Sequence, residues 1–450
     1  MNLNRVSIIH FVRKLKSRHG LRKIAVNTGW LFFDRILRLG VGLFVGVWVA
    51  RYLGPDQFGI WSYASAFVLL FSPFAVLGLD SIVVREIVKD PTRKEEILGS
   101  AFALKLAGGF LTFILSIVII GFIRPENILM RSIVAITATG LIFQSFDTID
   151  FYFQSQVQSK YTTWVKGAAF LIISFLKVVL ILRKTSLMSF VLVVMAETIL
   201  AGGGLVFAYR FVKQNIFRWK MHLSVARDLL NDSWPLILAG LVVAIYMRID
   251  QIMLGNMIGN AAVGKYSAAV RISELWYVIP TAISISVFPA VVNMRKTNEA
   301  LYLSRLQKFY DLMVWLGIAI AIPMTFCADN IVRFLYGTQF QGAGTVLAIH
   351  IWTGPFVFFG VASSQYLIAE NQTKISFYRT AAGAVINVIL NLMLITRYHG
   401  TGAAFATLVA QIFVACISPA FFKESKVISL MFAKSLNLYR ITRNLRRSYG

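Results

Sequence analysis

The sequence predicts an all-α polytopic membrane protein, with about twelve transmembrane helices in two six-helix lobes related by a parallel repeat. Three observations predict it. First, 57% of the 450 residues are hydrophobic and only 14% charged, with a mean hydropathy of +0.69; a soluble chain runs near 45–50% apolar and about 25% charged. Second, apolar runs of roughly 20 residues recur along the whole chain, each long enough to cross a hydrocarbon core of about 30 Å. Third, the stretch Ala50-Arg-Tyr-Leu-Gly54-Pro-Asp-Gln-Phe-Gly59 has an echo in the second half. Gly54 matches Gly259, Gly59 matches Gly264, Trp61 faces Tyr266, and Ser62 and Ala64 match Ser267 and Ala269.

Taken in order, the apolar windows fall at 27–49, 57–80, 98–122, 131–152, 162–182 and 187–209, then at 232–255, 266–292, 309–328, 343–369, 376–396 and 401–422. The echoed turn follows the first window of each set, and Asn27-Thr-Gly-Trp30 before it answers Asn231-Asp-Ser-Trp234. Pro73 and Pro280 recur in the next helix and mark plausible bending points. A repeat unit of six helices re-enters the membrane in the same orientation, so the two lobes are related by an axis along the membrane normal. The expected organisation is a basic segment 1–26, an N-lobe 27–210, a linker 211–231, a C-lobe 232–422 and a basic tail 423–450.

Lys and Arg set the orientation. One set of loops carries Arg85, Lys89, Arg93 and Lys94; Arg210, Lys213, Arg218, Lys220 and Arg227; and Arg295, Lys296, Arg305 and Lys308. The tail adds Lys423, Lys426, Lys434, Arg440, Arg443, Arg446 and Arg447, whereas the opposite loops hold single cations such as Arg51, Lys265, Arg333 and Arg397. The positive-inside rule puts both termini in the cytoplasm. Most of the formal charge of +25 is thus topological, suited to orientation and anionic-lipid contact. No nucleic-acid-binding module accompanies it. The stretch Ser425 to Tyr449 reads as an amphipathic segment lying on the surface.

Several classes are excluded or disfavoured. No short apolar stretch is followed by a small-residue cleavage site, so no signal peptide is expected. Cys327 and Cys416 stand alone in apolar sequence, and no His, Cys or carboxylate cluster has metal-ligand spacing, so neither a disulfide framework nor a metal or cofactor site is expected. No polar segment outside the spans exceeds about 28 residues, too short for a soluble catalytic domain. Any function is therefore expected within the bundle or at its short loops. The second echo, Gly259-Asn-Ala-Ala-Val-Gly264-Lys265, fits most of a phosphate-binding loop, but Tyr266 stands where Ser or Thr must reach magnesium. The first copy has no lysine, and a tight turn between two spans is the better reading.

Charges inside the spans carry the functional signal. Asp34, Arg35 and Arg38 lie within an arc of about 100° on helix one, with Arg38 roughly 16 Å from Asn27 and so near the midplane. Three central charges cost about 8–10 kcal/mol, against roughly 6 kcal/mol returned by the apolar residues of the span. That face must meet protein or water. The candidates for a cationic binding cavity are Arg35, Arg38, Lys177, Arg248 and Arg271, and those for ion coupling or cavity ion pairs are Asp34, Glu197, Asp250 and Glu274. Asp34–Arg38 and Arg271–Glu274 also have the spacing of plain intrahelical pairs. Asp150, Lys166 and Arg379 lie near helix ends, where they can snorkel, and Lys105 can do likewise. Gly202-Gly203-Gly204 suits close helix packing or a kink.

The basic N-terminus, Asp34-Arg35-Ile36, Ala50-Arg-Tyr-Leu-Gly54-Pro55 and Phe58-Gly59 together resemble the polysaccharide transporter (Wzx-type flippase) family. Ile249-Asp-Gln-Ile-Met-Leu254, Val263-Gly-Lys-Tyr-Ser-Ala-Ala269 and Phe288-Pro289 are similar to that family's matching second-lobe segments. The resemblance covers roughly 27–422 and implies a member of the multidrug/oligosaccharidyl-lipid/polysaccharide exporter superfamily, with two lobes around a central cavity and alternating access. It implies an undecaprenyl-pyrophosphate oligosaccharide as substrate (O-antigen, capsule or exopolysaccharide unit), flipped from the inner to the outer leaflet of a bacterial cytoplasmic membrane. Arg35 matches the arginine of the family's first-helix pattern. The resemblance leaves room for coupling to H⁺ or Na⁺ and for a complex with a polysaccharide polymerase. The competing readings are a cation-coupled multidrug or small-molecule exporter and, further off, a membrane polysaccharide polymerase or ligase.

Overall fold

The computed structural model describes residues 18–295 and 298–437. Most of the basic amino-terminal segment, Lys296, and the end of the tail with Arg440, Arg443, Arg446 and Arg447 lie outside the described residues. Among the described residues the secondary structure is helical throughout, without strands. Nine of these helices or helix runs are long and apolar enough to cross a membrane. Two of them hold two crossings each. Asp34–Lys89 turns at Gly54, and Thr373–Phe421 breaks at His399. With Asn260–Glu274 and Val278–Arg295 as one further crossing, six fall in each half of the chain, as the hydropathy predicts.

The chain divides into two compact units, 1–49 with 71–240 and 50–70 with 241–450. Unit 1 contains the first part of α1 (Arg18–Val76), then α2 (Asp80–Lys89), α3 (Lys94–Ile123), α4 (Ile128–Phe143), α5 (Thr148–Ser155), α6 (Lys160–Leu182), α7 (Leu187–Phe211) and the start of α8 (Leu223–Met257). Its core gathers Leu79, Val83, Ile149, Phe153, Leu205, Tyr209, Val225 and Leu229. Small residues bring the helices close, because lipid-facing helices associate through packing rather than through a hydrophobic force between them. Gly109 of α3 seats against the backbone of Leu141 and Ile142, and Gly204 of α7 against the Val165 side chain. The glycine triplet therefore serves packing. Gly202 rests on the Phe146 ring, and α7 runs unbroken through all three glycines.

Unit 2 contains the second part of α1, the rest of α8, then α9 (Asn260–Glu274), α10 (Val278–Arg295), α11 (Glu299–Tyr336), α12 (Ala343–His350), α13 (Thr353–Ala369), α14 (Thr373–Ile412) and α15 (Lys426–Ser435). Its core gathers Leu306, Tyr310, Met313, Phe358, Phe359 and Leu367. The helix α15 belongs to the stretch expected on the surface, yet Ile428 and Met431 enter that core. Gln307 donates to the Met431 carbonyl at 2.9 Å, and the Trp315 indole N–H donates to the Ser435 carbonyl at 2.9 Å. Its apolar face thus covers protein.

The echoed turns adopt the same backbone. Gly54 has φ 72° and ψ 171°, and Gly259 has φ 126° and ψ 178°, a region closed to residues with a Cβ. Each copy then starts a new helix, the first with Pro55, whose fixed φ suits the first helical position. Inside unit 2 the two copies dock on each other. A Cβ on Gly59 would strike the Asn260 carbonyl, and one on Gly264 would strike the Pro55 carbonyl. Pro55 and Asn260 are themselves equivalent positions, so the contact is reciprocal about a local two-fold axis. Tyr63 completes it by donating to Asn256 Oδ1 at 3.0 Å. The loop is written twice because each copy is the other's packing partner, and the first turn after Gly259 faces the Pro55 backbone where a phosphate would have to sit.

Candidate functional site

In unit 1 the mid-span charges form a chain of alternating sign across three helices. The Arg38 Nε donates to both oxygens of Asp34, at 3.0 and 3.1 Å, one turn earlier on α1. Its Nη1 stands 3.8 Å from Glu197 of α7, whose other oxygen is 3.8 Å from Lys177 of α6. Gly167 of α6 faces the pair, where an added Cβ would stand in ordinary contact with Asp34 Oδ1 at 3.6 Å. Phe170, one turn on, lies under the guanidinium with its centroid 5.0 Å away, a cation–π contact. Arg38 keeps 32% of its side chain open and Lys177 15%. Arg35 is exposed and does not enter this chain.

A second group occupies the same unit. Lys166 Nζ lies 2.7 Å from Asp147 and 3.5 Å from Asp150, while Lys105 is 3% exposed with its ammonium over the Phe151 ring at 4.8 Å. Snorkelling, expected for both lysines, does not occur. The carboxylates and ring supplied by α5 and its preceding turn hold them inside the unit.

In unit 2 the centre is Asp250, 3% exposed on α8. Tyr266 donates to its Oδ2 at 2.7 Å and Thr407 to the same oxygen at 2.5 Å, while Asn391 Nδ2 reaches Oδ1 at 2.5 Å. Asn391 also donates to Asn387 Oδ1 at 3.0 Å, and its own Oδ1 is buried without a partner. The Ala403 carbonyl lies 2.9 Å from Thr407 Oγ1. The charge is held by neutral hydroxyls and amides, with several oxygens converging beside it. Arg248 and Glu274 pair at 3.7 Å on the neighbouring helices α8 and α9, and Arg271, exposed, lies within electrostatic reach of Glu274.

The sequence reading names Asp250 but gives none of its partners a part beside it. Asn387 and Asn391 stand four apart in an otherwise apolar stretch, a one-face polar pattern that points to a shared task. Tyr266 was weighed only as the residue that spoils a phosphate-loop match. Its packing shows why tyrosine stands there: the ring is buried beside the docked turns and the hydroxyl reaches the carboxylate.

Helices long and apolar enough to cross repeatedly define a multi-pass membrane protein, and its relatives make it a transporter rather than an enzyme. The model of a family described as "Polysaccharide biosynthesis protein" matches residues 24–295, more than half the chain, and the chain belongs to that family. A second family model, MatE, matches 235–393. The chain is 25% identical over 384 residues to the probable low-salt glycan biosynthesis flippase Agl15 of Haloferax volcanii, covering 82% of this chain and 77% of that one. It is 21% identical over 391 residues to the putative O-antigen transporter of Escherichia coli, covering 85% and 92%. Among solved structures it is similar to the lipid II flippase MurJ in an inward closed conformation, at a TM-score of 0.69, 16% identity and coverage of 92% and 91%. An inward-facing multidrug resistance MATE transporter of the MOP superfamily gives a TM-score of 0.62 at 16% identity, covering 87% and 95%. These likenesses establish the fold of two six-helix lobes.

Proposed function

We propose that this transporter flips a polyprenyl-pyrophosphate-linked oligosaccharide from the cytoplasmic to the outer leaflet of the cytoplasmic membrane by alternating access, with both termini in the cytoplasm. The observation that carries the proposal is the Asp34–Arg38–Glu197–Lys177 chain. Its two cations share Glu197 through contacts of 3.8 Å, longer than a charge-assisted hydrogen bond of about 2.7–2.9 Å. A pyrophosphate presents more acceptor oxygens and more charge than that carboxylate, so it competes for both cations. Arg38 and Lys177 receive the phosphates, and Asp34 and Glu197 hold the cations in place when no substrate is bound. Arg35, Arg248 and Arg271 are the further cationic contacts of the proposal. The relatives named as glycan flippase and O-antigen transporter support the substrate class.

Coupling is assigned to Asp250. A lone carboxylate ringed by Tyr266, Thr407, Asn387 and Asn391 gains a proton or a sodium ion without any ion pair having to break. Hard monovalent and divalent cations favour such oxygen sets. The match of 235–393 to the MatE model favours a second reading, a cation-coupled exporter of small molecules. Proteoliposomes separate the two. Flipping of a polyprenyl-pyrophosphate oligosaccharide, stimulated by a proton or sodium gradient, is the expected result. Gradient-driven transport of an organic cation with no lipid flipping refutes the flippase reading.

A further inference from the structure

We infer that unit 2 binds a small inorganic anion of chloride size on the buried guanidinium of Arg379. This residue lies in the second turn of α14, near a helix end, where snorkelling was expected, yet it is 3% exposed. Its Nη1 donates to Ser363 Oγ at 3.1 Å, and Nη2 donates to Ser364 Oγ at 2.6 Å and to the Gly360 carbonyl at 3.4 Å. Every one of these acceptors is neutral. No acidic side chain among the described residues pairs with it, and its Nε–H, also buried, has no acceptor.

The surroundings repeat the pattern. The titratable groups that act on the guanidinium are the phenols of Tyr310 and Tyr246. Both hydroxyls are buried without a hydrogen-bond partner. Tyr310 is fixed by the Phe359 ring at 4.9 Å, and Tyr246 by Ala384 and Val414. One N–H of the guanidinium and two O–H groups within its electrostatic reach are thus left without acceptors, and no carboxylate among the described residues pairs with the charge.

A lone buried cation is costly, and each unmade hydrogen bond adds to that cost. A single anion at the open Nε–H neutralises the guanidinium and satisfies that donor, and on this inference the two phenol hydroxyls turn to the same ion. A buried water would accept hydrogen bonds but leave the charge uncompensated. With Nη1 and Nη2 already donating to Ser363, Ser364 and Gly360, the one open Nε–H suits a one-atom anion better than a phosphate. Tyr246 lies one helical turn before Asp250 on α8, so this anion site and the carboxylate cage share a helix.

The test uses the full-length purified transporter. Its melting temperature is followed while sodium gluconate is replaced by sodium chloride or bromide, at constant sodium and ionic strength. The expected result is a melting temperature that rises with halide, the folded-to-unfolded ratio growing about tenfold per decade of halide above the dissociation constant. The Tyr246→Phe/Tyr310→Phe double variant keeps the packing and should shift the halide midpoint upward at least fivefold, and Arg379→Gln should abolish the response. Should Arg379→Gln fail to fold, anomalous scattering from bromide-grown wild-type crystals replaces it, with a peak expected beside Nε. A wild-type melting temperature indifferent to halide, a double variant with an unchanged midpoint, or crystals with no bromide at Arg379 each overturn the inference.

Discussion

The paired charges of unit 1 and the two deepest charges of unit 2 are held in opposite ways. In unit 1 every mid-span cation described above has a carboxylate within reach, Arg38 with Asp34 and Glu197, Lys177 with Glu197, and Lys166 with Asp147 and Asp150, apart from Arg35 at the surface and Lys105 on its ring. In unit 2 the two deepest charges, Asp250 and Arg379, are each held by neutral hydroxyls, amides and a carbonyl. A paired, half-open network gives up one partner for a competing anion at little cost. A single charge in a neutral cage instead favours an ion of the opposite sign, because neutral groups solvate a charge without cancelling it. On the reading proposed above, the phosphates are received at paired cations, and the response to small ions belongs to single charges in neutral cages.

The division can be broken where it matters most. Arg38→Ala should abolish lipid-linked sugar translocation, by about 100-fold or more, in protein that still inserts and melts cooperatively, since it removes a contact to phosphate and strands Asp34 and Glu197. Proteoliposome flipping with a parallel melting curve checks this. Asp250→Asn should leave gradient-free flipping measurable but remove its acceleration by a proton or sodium gradient, on the order of a tenfold loss if one charge is coupled. An unchanged gradient response would detach Asp250 from coupling.

Exchanging partners sharpens the contrast. Lys177→Glu alone sets two carboxylates against each other and should destabilise unit 1 by about 1–2 kcal/mol, whereas adding Glu197→Gln removes the repulsion, leaves Arg38 its Asp34 partner and should recover part of that loss, as coupled groups do in a double-mutant cycle. Melting temperatures of both singles and the double decide it. Gly59→Ala leaves every charge in place and presses a methyl on the Asn260 carbonyl, for a loss of about 1–3 kcal/mol. Gly264→Ala should match it, because the contact is reciprocal. Arg93→Ala, in a polar loop where the side chain meets only Glu96 at 3.2 Å, should stay within about 0.5 kcal/mol and transport normally.

Much of this was legible before any coordinates. Hydropathy alone located the crossings, because a span has to bury its backbone in about 20 apolar residues and little else satisfies that demand. The echo located the repeat. Arg38 stood out because a guanidinium at mid-depth has no low-cost place in lipid. The Asp250 cage did not stand out. Its members lie at 250, 266, 387, 391 and 407, and hydroxyls and amides cost too little in a span to draw attention singly. Lys105 and Arg379 misled for a related reason. Distance from a helix end says that snorkelling is open to a side chain, and only the packing around it says whether that route is filled.

The sequence by itself determined that the chain crosses a membrane repeatedly and that one turn is written in each half, and it marked the mid-span charges as the candidates for its chemistry. Those properties follow from local composition, which lipid punishes or permits residue by residue. Tertiary structure alone decided which charges cancel and which stand alone, since that depends on what four or five helices bring to one point. It also decided why the Gly54 turn is written twice. Gly59 and Gly264 each leave room for the other copy's carbonyl, and a fit between two backbones has no signature until both are in place.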